Sequence, residues 1–174
     1  MRERVQILQE LPGLAQADPA ALAVLAGHLH PREFKDELIC REGEVADRLW
    51  ILAEGTAEVL KRSPSGRDRV VASLVPVSLF GHVALFTSAG RTATIRAKGR
   101  VELLQMSSTE AHILLRTAPY AISGLFRRAL IVALSQQLTA ATQTLWRLAD
   151  HVGATEQLPL EETERALLSA GAQL

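Results

Sequence analysis

The sequence predicts a mainly β fold with flanking α-helices. Between residues 31 and 107 short apolar runs recur at roughly ten-residue spacing, with turn residues between them. Before residue 31 and after residue 107 the apolar residues recur at helical spacing. A series of short strands enclosed by helices points to a β-sandwich, a jelly roll or a small barrel.

The elements follow in order. Val5, Leu8 and Leu11, then Leu22, Leu25 and Leu29, give helical periodicity over residues 1–30. Pro12-Gly13 breaks the first segment, and Asp18-Pro19 places a cap residue before a proline suited to the first helical position. Six runs read as strands: Leu38–Cys40, Leu49–Leu52, Ala57–Leu60, Val70–Leu74, Thr92–Ile95 and Val101–Leu104. Ser63-Pro64-Ser65-Gly66-Arg67 has the composition of a hairpin tip. Ser108 and Thr109 are candidate caps for a short helix ending before Pro119. A longer helix is expected over 119–150. On it Ile131, Leu134, Leu138, Ala141, Leu145 and Leu148 form a heptad-like seam suited to a partner helix. Leu125, Phe126, Ala129 and Leu130 are left to pack on the β core. The chain is therefore divided into a domain at 1–150 and a tail at 151–174 with room for a short helix at 160–169.

Composition bounds the chemistry. A length of 174 residues suits one domain, and 48% apolar residues suffice for a core. Nineteen basic and nineteen acidic residues cancel, so the surplus of Lys and Arg typical of nucleic-acid modules is missing. One cysteine excludes a disulfide framework and an intrachain four-cysteine metal site. No apolar run is long enough to cross a membrane, and the Met-Arg-Glu-Arg start is unlike a signal peptide, so a cytoplasmic protein is expected. The five histidines lack metal-ligand spacing apart from His28 and His30, expected to face water at a helix end, so no metal site is assigned. No nucleophile elbow, P-loop or zinc-protease motif is present, and the chain is not expected to be an enzyme.

One stretch carries chemistry: Leu79-Phe80-Gly81-His82-Val83-Ala84-Leu85-Phe86, a short loop, then Gly90-Arg91-Thr92-Ala93-Thr94-Ile95. Gly81 permits a positive φ or a close backbone approach. Residues 82–86 are expected to form one helical turn whose free N–H groups attract an anion. Arg91 and the Thr92 hydroxyl follow at the start of a strand. A guanidinium, a hydroxyl and backbone N–H groups together suit one phosphate.

This stretch resembles the phosphate-binding cassette of cyclic nucleotide-binding domains, which reads Gly-Glu-x-Ala-Leu, a short loop, then Arg-Ser/Thr-Ala-Thr-Val. Arg41-Glu42-Gly43-Glu44-Val45-Ala46-Asp47-Arg48-Leu49-Trp50-Ile51-Leu52-Ala53-Glu54-Gly55-Thr56-Ala57-Glu58-Val59 resembles a further run of the same family, with both of its glycines in place. Pro119 and the helix after it resemble the long helix of catabolite-activator-type regulators. The resemblance spans roughly residues 7–149. It implies a double-stranded β-helix, or jelly-roll β-roll, of two short antiparallel sheets, with N-terminal helices and a long C-terminal helix. It also implies cAMP or cGMP as ligand, with no required cofactor. The implied binding residues are Gly81, His82, Val83, Ala84, Arg91, Thr92 and Ala93, with Gln136 of the long helix at the base. The implied partner is a second copy, joined along the 131–148 seam.

The pattern is departed from at four places. His82 stands where the family has the glutamate that accepts from the ribose 2′-hydroxyl, and a neutral imidazole lacks that carboxylate's charge and reach. Val77 and Asp36 replace frequent glycines, and Gly90 replaces a frequent proline. The expected function is a ligand-sensing regulatory module signalling through its C-terminal helix. The alternative is a degenerate fold that serves as a dimeric protein-interaction scaffold without nucleotide. Catabolite-activator relatives append a helix-turn-helix domain of about 60 residues. Only 24 acidic-rich residues follow residue 150, so DNA binding by this chain alone is not expected. Cys40 is assigned to the core, Trp50 and Trp146 to the core or an interface, and Arg62, Arg67 and Arg69 to a solvated hairpin.

Overall fold

A computed structural model describes residues 3–87 and 90–151, without the side chains of Ala84 and His151. The expected tail and its short helix, apart from residue 151, lie outside the described residues, as do Ser88 and Ala89. The chain divides into two units, 1–135 and 136–174.

In the first unit α1 (Arg4–Glu10) and α2 (Pro19–Gly27) precede the strands. Asp18 caps α2, its carboxylate accepting from the Ala21 N–H at 3.1 Å, with Pro19 at the first helical position. Six strands follow: β1 (His30–Lys35), β2 (Leu38–Cys40), β3 (Arg48–Arg62), β4 (Asp68–Leu74), β5 (Ser78–Phe80) and β6 (Thr94–Ser107). Next come α3 (Ser108–Thr117) and α4 (Tyr120–His151). The cap of α3 is Ser107, one residue before the expected pair, in a capping box with Glu110.

All six strands pair antiparallel around two long ones, β3 and β6. The expected pairs of short strands, 49–52 with 57–60 and 92–95 with 101–104, are each one continuous strand. One half of the network carries β1 on β6 and β5 on β3; the other carries β2 on β6 and β4 on β3. The two implied sheets are thus two halves of one hydrogen-bonded system. Register shifts at Leu52/Glu54 and Glu54/Thr56 separate them. Gly55 occupies this joint with φ +88°, and a Cβ there would stand 2.4 Å from the Arg100 carbonyl oxygen. Only glycine admits both the dihedral and the approach.

Alternation along β3 builds two cores. Leu49, Ile51 and Ala53 face the helices, joining Ile7, Leu8, Leu25, Leu104, Met106, Phe126, Ala129 and Leu130. Trp50 and Leu52 face the other way, joining Cys40, Phe80, Ile95, Val101 and Leu103. Phe126, Ala129 and Leu130 anchor the start of α4 as expected, while Ile131 is 63% exposed. In the second unit the described residues 136–151 are helical, with Leu138, Leu145, Trp146 and Leu148 exposed.

Asp36 shows how one departure from the family pattern is accommodated. It takes φ +53°, a left-handed conformation that aspartate tolerates better than most residues. Its carboxylate accepts from the Gly99 N–H at 2.7 Å, and its own N–H donates to the Gly99 carbonyl at 3.1 Å.

Candidate functional site

β5 ends at Phe80 and the backbone turns through Gly81, with φ +75°, into a single 3-10 turn, His82–Leu85. The expected turn therefore exists, one residue shorter than 82–86. The chain returns at Gly90. A Cβ there would lie 2.7 Å from the Gly43 carbonyl oxygen and 2.9 Å from that of Glu44. This close approach accounts for glycine in place of proline. Two backbone hydrogen bonds lock the junction: the Arg91 N–H donates to the Glu44 carbonyl at 2.8 Å, and the Gly43 N–H to the Arg91 carbonyl at 2.9 Å.

Arg91 is thereby placed beside Gly81. Its side chain is 5% exposed. Nη1 donates to the Gly81 carbonyl at 3.3 Å, and Nη2 lies 3.6 Å from the Asp47 carboxylate. The guanidinium carbon stands 4.3 Å from the centre of the Trp50 ring, which stacks on Phe80 at 5.3 Å. Asp47 also accepts from Arg48 through both oxygens, at 3.0 and 2.6 Å. The hydrogen bond from Arg48, aided by the charge of Arg91, holds its carboxyl below the usual carboxylate range. Burial lowers the pKa of Arg91, and the neighbouring Asp47 and Glu44 carboxylates oppose that effect.

Arg91 and Trp50 border an open cleft of about 400 Å³. Arg32, Phe34, Cys40, Asp47, Arg48 and Gln105 also line it. A nearly buried cation, an aromatic face and an amide on one cleft suit a ligand with an anionic group and a planar ring.

The other expected residues are distributed differently. His82 is 3% exposed, does not line the cleft, and neither ring nitrogen has a hydrogen-bond partner. Burial pushes its pKa down, which favours the neutral ring. Val83 is half-buried and Thr92 is exposed. The Thr92 carbonyl accepts from Lys61 Nζ at 2.7 Å, and Lys61 also pairs with Glu42. The Ala93 carbonyl accepts from the Cys40 thiol at 3.9 Å. Gln136 falls in the second unit, so its distance from the cleft is not defined. The sequence does not single out Asp47, Arg32 and Gln105, and it gives Trp50 only a core or interface role. The signal for Asp47 and Trp50 was available. Asp47 immediately precedes β3 and Trp50 lies near its start, three residues on, at the sheet end where the cassette returns.

Residues 34–118 match the family model of the cyclic nucleotide-binding domain. The chain carries a cyclic nucleotide-binding domain. It is 30% identical over 90 residues to a CRP-like cAMP-activated global transcriptional regulator of Mycobacterium tuberculosis, covering 51% of this chain and 40% of that one. It is 31% identical over 100 residues to a cAMP-dependent protein kinase regulatory subunit of Blastocladiella emersonii, covering 57% of this chain and 25% of that one. The chain thus spans less than half the length of either relative. Among solved structures, a cyclic nucleotide-binding domain from Methylobacillus flagellatus has the same fold. Its TM-score is 0.74 at 15% identity, over 83% of this chain and 82% of that one. The N-terminal domain of a transcriptional regulator from Streptomyces coelicolor aligns with TM-score 0.62 at 26% identity, over 80% of this chain and 94% of that one. Among the described residues no helix of this cyclic nucleotide-binding domain or of the rest of α4 is long and apolar enough to cross a membrane.

Proposed function

We propose that the chain is a ligand-sensing regulatory module, cytoplasmic and not an enzyme, that binds a cyclic nucleotide beside Arg91. The carrying observation is the state of that arginine. It is almost wholly buried, it lines an open cleft, and the Asp47 carboxylate lies 3.6 Å from it, beyond a hydrogen bond. A phosphate diester entering the cleft gains a charge-assisted bond that Asp47 makes only weakly. Gly81, Val83, Ala84, Thr92 and Ala93 are the proposed cassette contacts, and Gln136 the proposed base contact. The relatives described as cAMP-activated and cAMP-dependent make cAMP the first ligand to test and cGMP the second.

The proposed output is a change in packing between the long helices of a dimer. Its support is the seam of Ile131, Leu134, Leu138, Ala141, Leu145 and Leu148. Every member except half-buried Leu134 is exposed. Ligand shifts such an equilibrium only by preferring one packing over the other.

Thermal-shift titration with cAMP and cGMP tests the reading. A ligand that binds only the folded state adds about 2.7 kcal/mol at about hundredfold excess over Kd. The expected result is a saturable rise for one nucleotide, absent in Arg91→Met. A flat response to both at millimolar concentration overturns it and leaves the protein-interaction scaffold.

A further inference from the structure

We infer that Trp50 is a positioning residue for the anion-binding arginine: its indole face is a shelf that holds the Arg91 guanidinium on the wall of the cleft. The inference deepens the proposed binding site and rests on that reading. Trp50 sits mid-sheet, on β3, opposite Phe80 of β5 and Gln105 of β6. It is 2% exposed, so the ring cannot move without moving both neighbours. Its indole stacks on Phe80 with an interplanar angle of 22°. The Arg91 guanidinium lies 4.3 Å from the ring centre, well inside cation–π range.

The polar contacts of Arg91 do not fix it by themselves. One is a 3.3 Å bond to a carbonyl, and the other a 3.6 Å approach to a carboxylate that Arg48 already occupies. The aromatic face adds a contact at 4.3 Å between the guanidinium carbon and the ring centre. The indole N–H adds nothing to this arrangement. Nε1 is buried and has no hydrogen-bond partner. Tryptophan therefore stands at this place with its donor unsatisfied, which costs free energy. What it offers in return is the strongest cation–π face among the side chains. Gly81 completes the device. A Cβ there would come within 2.9 Å of both Arg91 Nη1 and the Trp50 ring, so the cassette backbone closes the third side of the arginine's slot.

The test uses the full chain with Trp146→Phe, so that Trp50 is the only tryptophan and its emission is excited selectively over that of Tyr120. Without ligand, Arg91→Leu in that background is expected to change the Trp50 emission spectrum, since the cation leaves the ring. Unchanged emission overturns the inference, whatever the chain binds. Affinity for cAMP then separates positioning from packing. Trp50→Phe keeps an aromatic face and is expected to bind within about threefold of the parent, whereas Trp50→Leu loses about tenfold. If the parent binds cAMP and Trp50→Leu binds it equally well, the shelf is refuted and the nucleotide reading stands. If the parent binds neither cAMP nor cGMP, the nucleotide reading fails. Inorganic phosphate titrated into the same proteins then decides the shelf, which is overturned by equal binding or by none to the parent. Should Trp50→Leu fail to fold, unchanged emission in Arg91→Leu, or a loss of binding in Trp50→Phe as large as tenfold, still overturns it.

Discussion

The Arg91 guanidinium donates to the Gly81 carbonyl at 3.3 Å, closing the cassette on itself across ten residues. Gly81 leaves the sheet at φ +75°, and Arg91 re-enters beside it, so the anion-binding side chain and the turn are set by one backbone geometry.

Three glycine substitutions are therefore expected to differ in a fixed order. A left-handed alanine costs roughly 1–2 kcal/mol at any of them. Gly66→Ala meets nothing within 4 Å and is expected to show that strain alone. Gly81→Ala adds contacts at 2.9 Å with the end of the Arg91 side chain, which can shift, and with the packed Trp50 ring. Gly55→Ala adds a 2.4 Å contact with a backbone oxygen that cannot yield. Urea denaturation should rank the losses Gly55→Ala, Gly81→Ala, Gly66→Ala. A Gly55→Ala loss no larger than that of Gly66→Ala would contradict the joint between the two half-sheets.

His82 is expected to make stability depend on pH. Burial depresses its folded-state pKa below the ordinary value of about 6.5. The unfolded chain then binds more protons than the folded one from about pH 6.5 down through the folded-state pKa. Stability is complete above that value and falls as pH drops through it, by at most about 1.4 kcal/mol per pH unit for one proton. The carboxyls held low, Asp47, Glu42 and Glu110, add their losses only near and below pH 4. Denaturant melts between pH 7.5 and 5 should show the slope in the parent and a flatter curve in His82→Leu. Equal slopes would show that another group carries it.

These two residues also show how far the sequence could be read. Gly81 and Arg91 belong to a local pattern, and a local pattern suffices to place a turn and a strand start. His82 was read as a ligand contact because of its position in that pattern. Which way a side chain points from a 3-10 turn depends on what β3 and α3 pack against it, and no spacing rule carries that. β1 was missed for a related reason. His30–Lys35 is exposed except at half-buried Phe34, so it shows neither alternation nor an apolar run. Pairing with β6 holds it, a non-local cause. The long strands were cut at Gly55 and Gly99 because glycine usually ends a strand; here Gly55 bends one and Gly99 receives the Asp36 turn.

The placement of His82 leads to an expectation about sugar specificity. The family resemblance assigns this position to an acceptor for the ribose 2′-hydroxyl, but the ring is buried and does not line the cleft. Without a charged acceptor, cAMP and 2′-deoxy-cAMP should bind within about threefold of each other. Calorimetric titration of both ligands measures the ratio. Discrimination of about tenfold or more would mean that His82, or another group, reaches the sugar in the bound state.

The seam on α4 carries the last expectation. A helix segment that keeps Leu138, Leu145 and Leu148 at 68%, 66% and 58% exposure leaves apolar area in water unless a partner covers it. Spaced seven and three apart, these positions form one stripe, which a second copy of the same stripe complements around a two-fold axis. Leu138→Lys with Leu145→Lys places two like charges on each copy at that stripe. Sedimentation equilibrium should find the parent dimeric and the double variant monomeric at the same concentration. The substituted side chains are exposed within the single chain, so the melting of unit 1–135, followed through the emission of Trp50 in a Trp146→Phe background, should stay within about 0.5 kcal/mol of its parent, apart from any concentration-dependent contribution of the dimer. A parent that sediments as a monomer at every concentration would remove the dimer from the proposed signalling path.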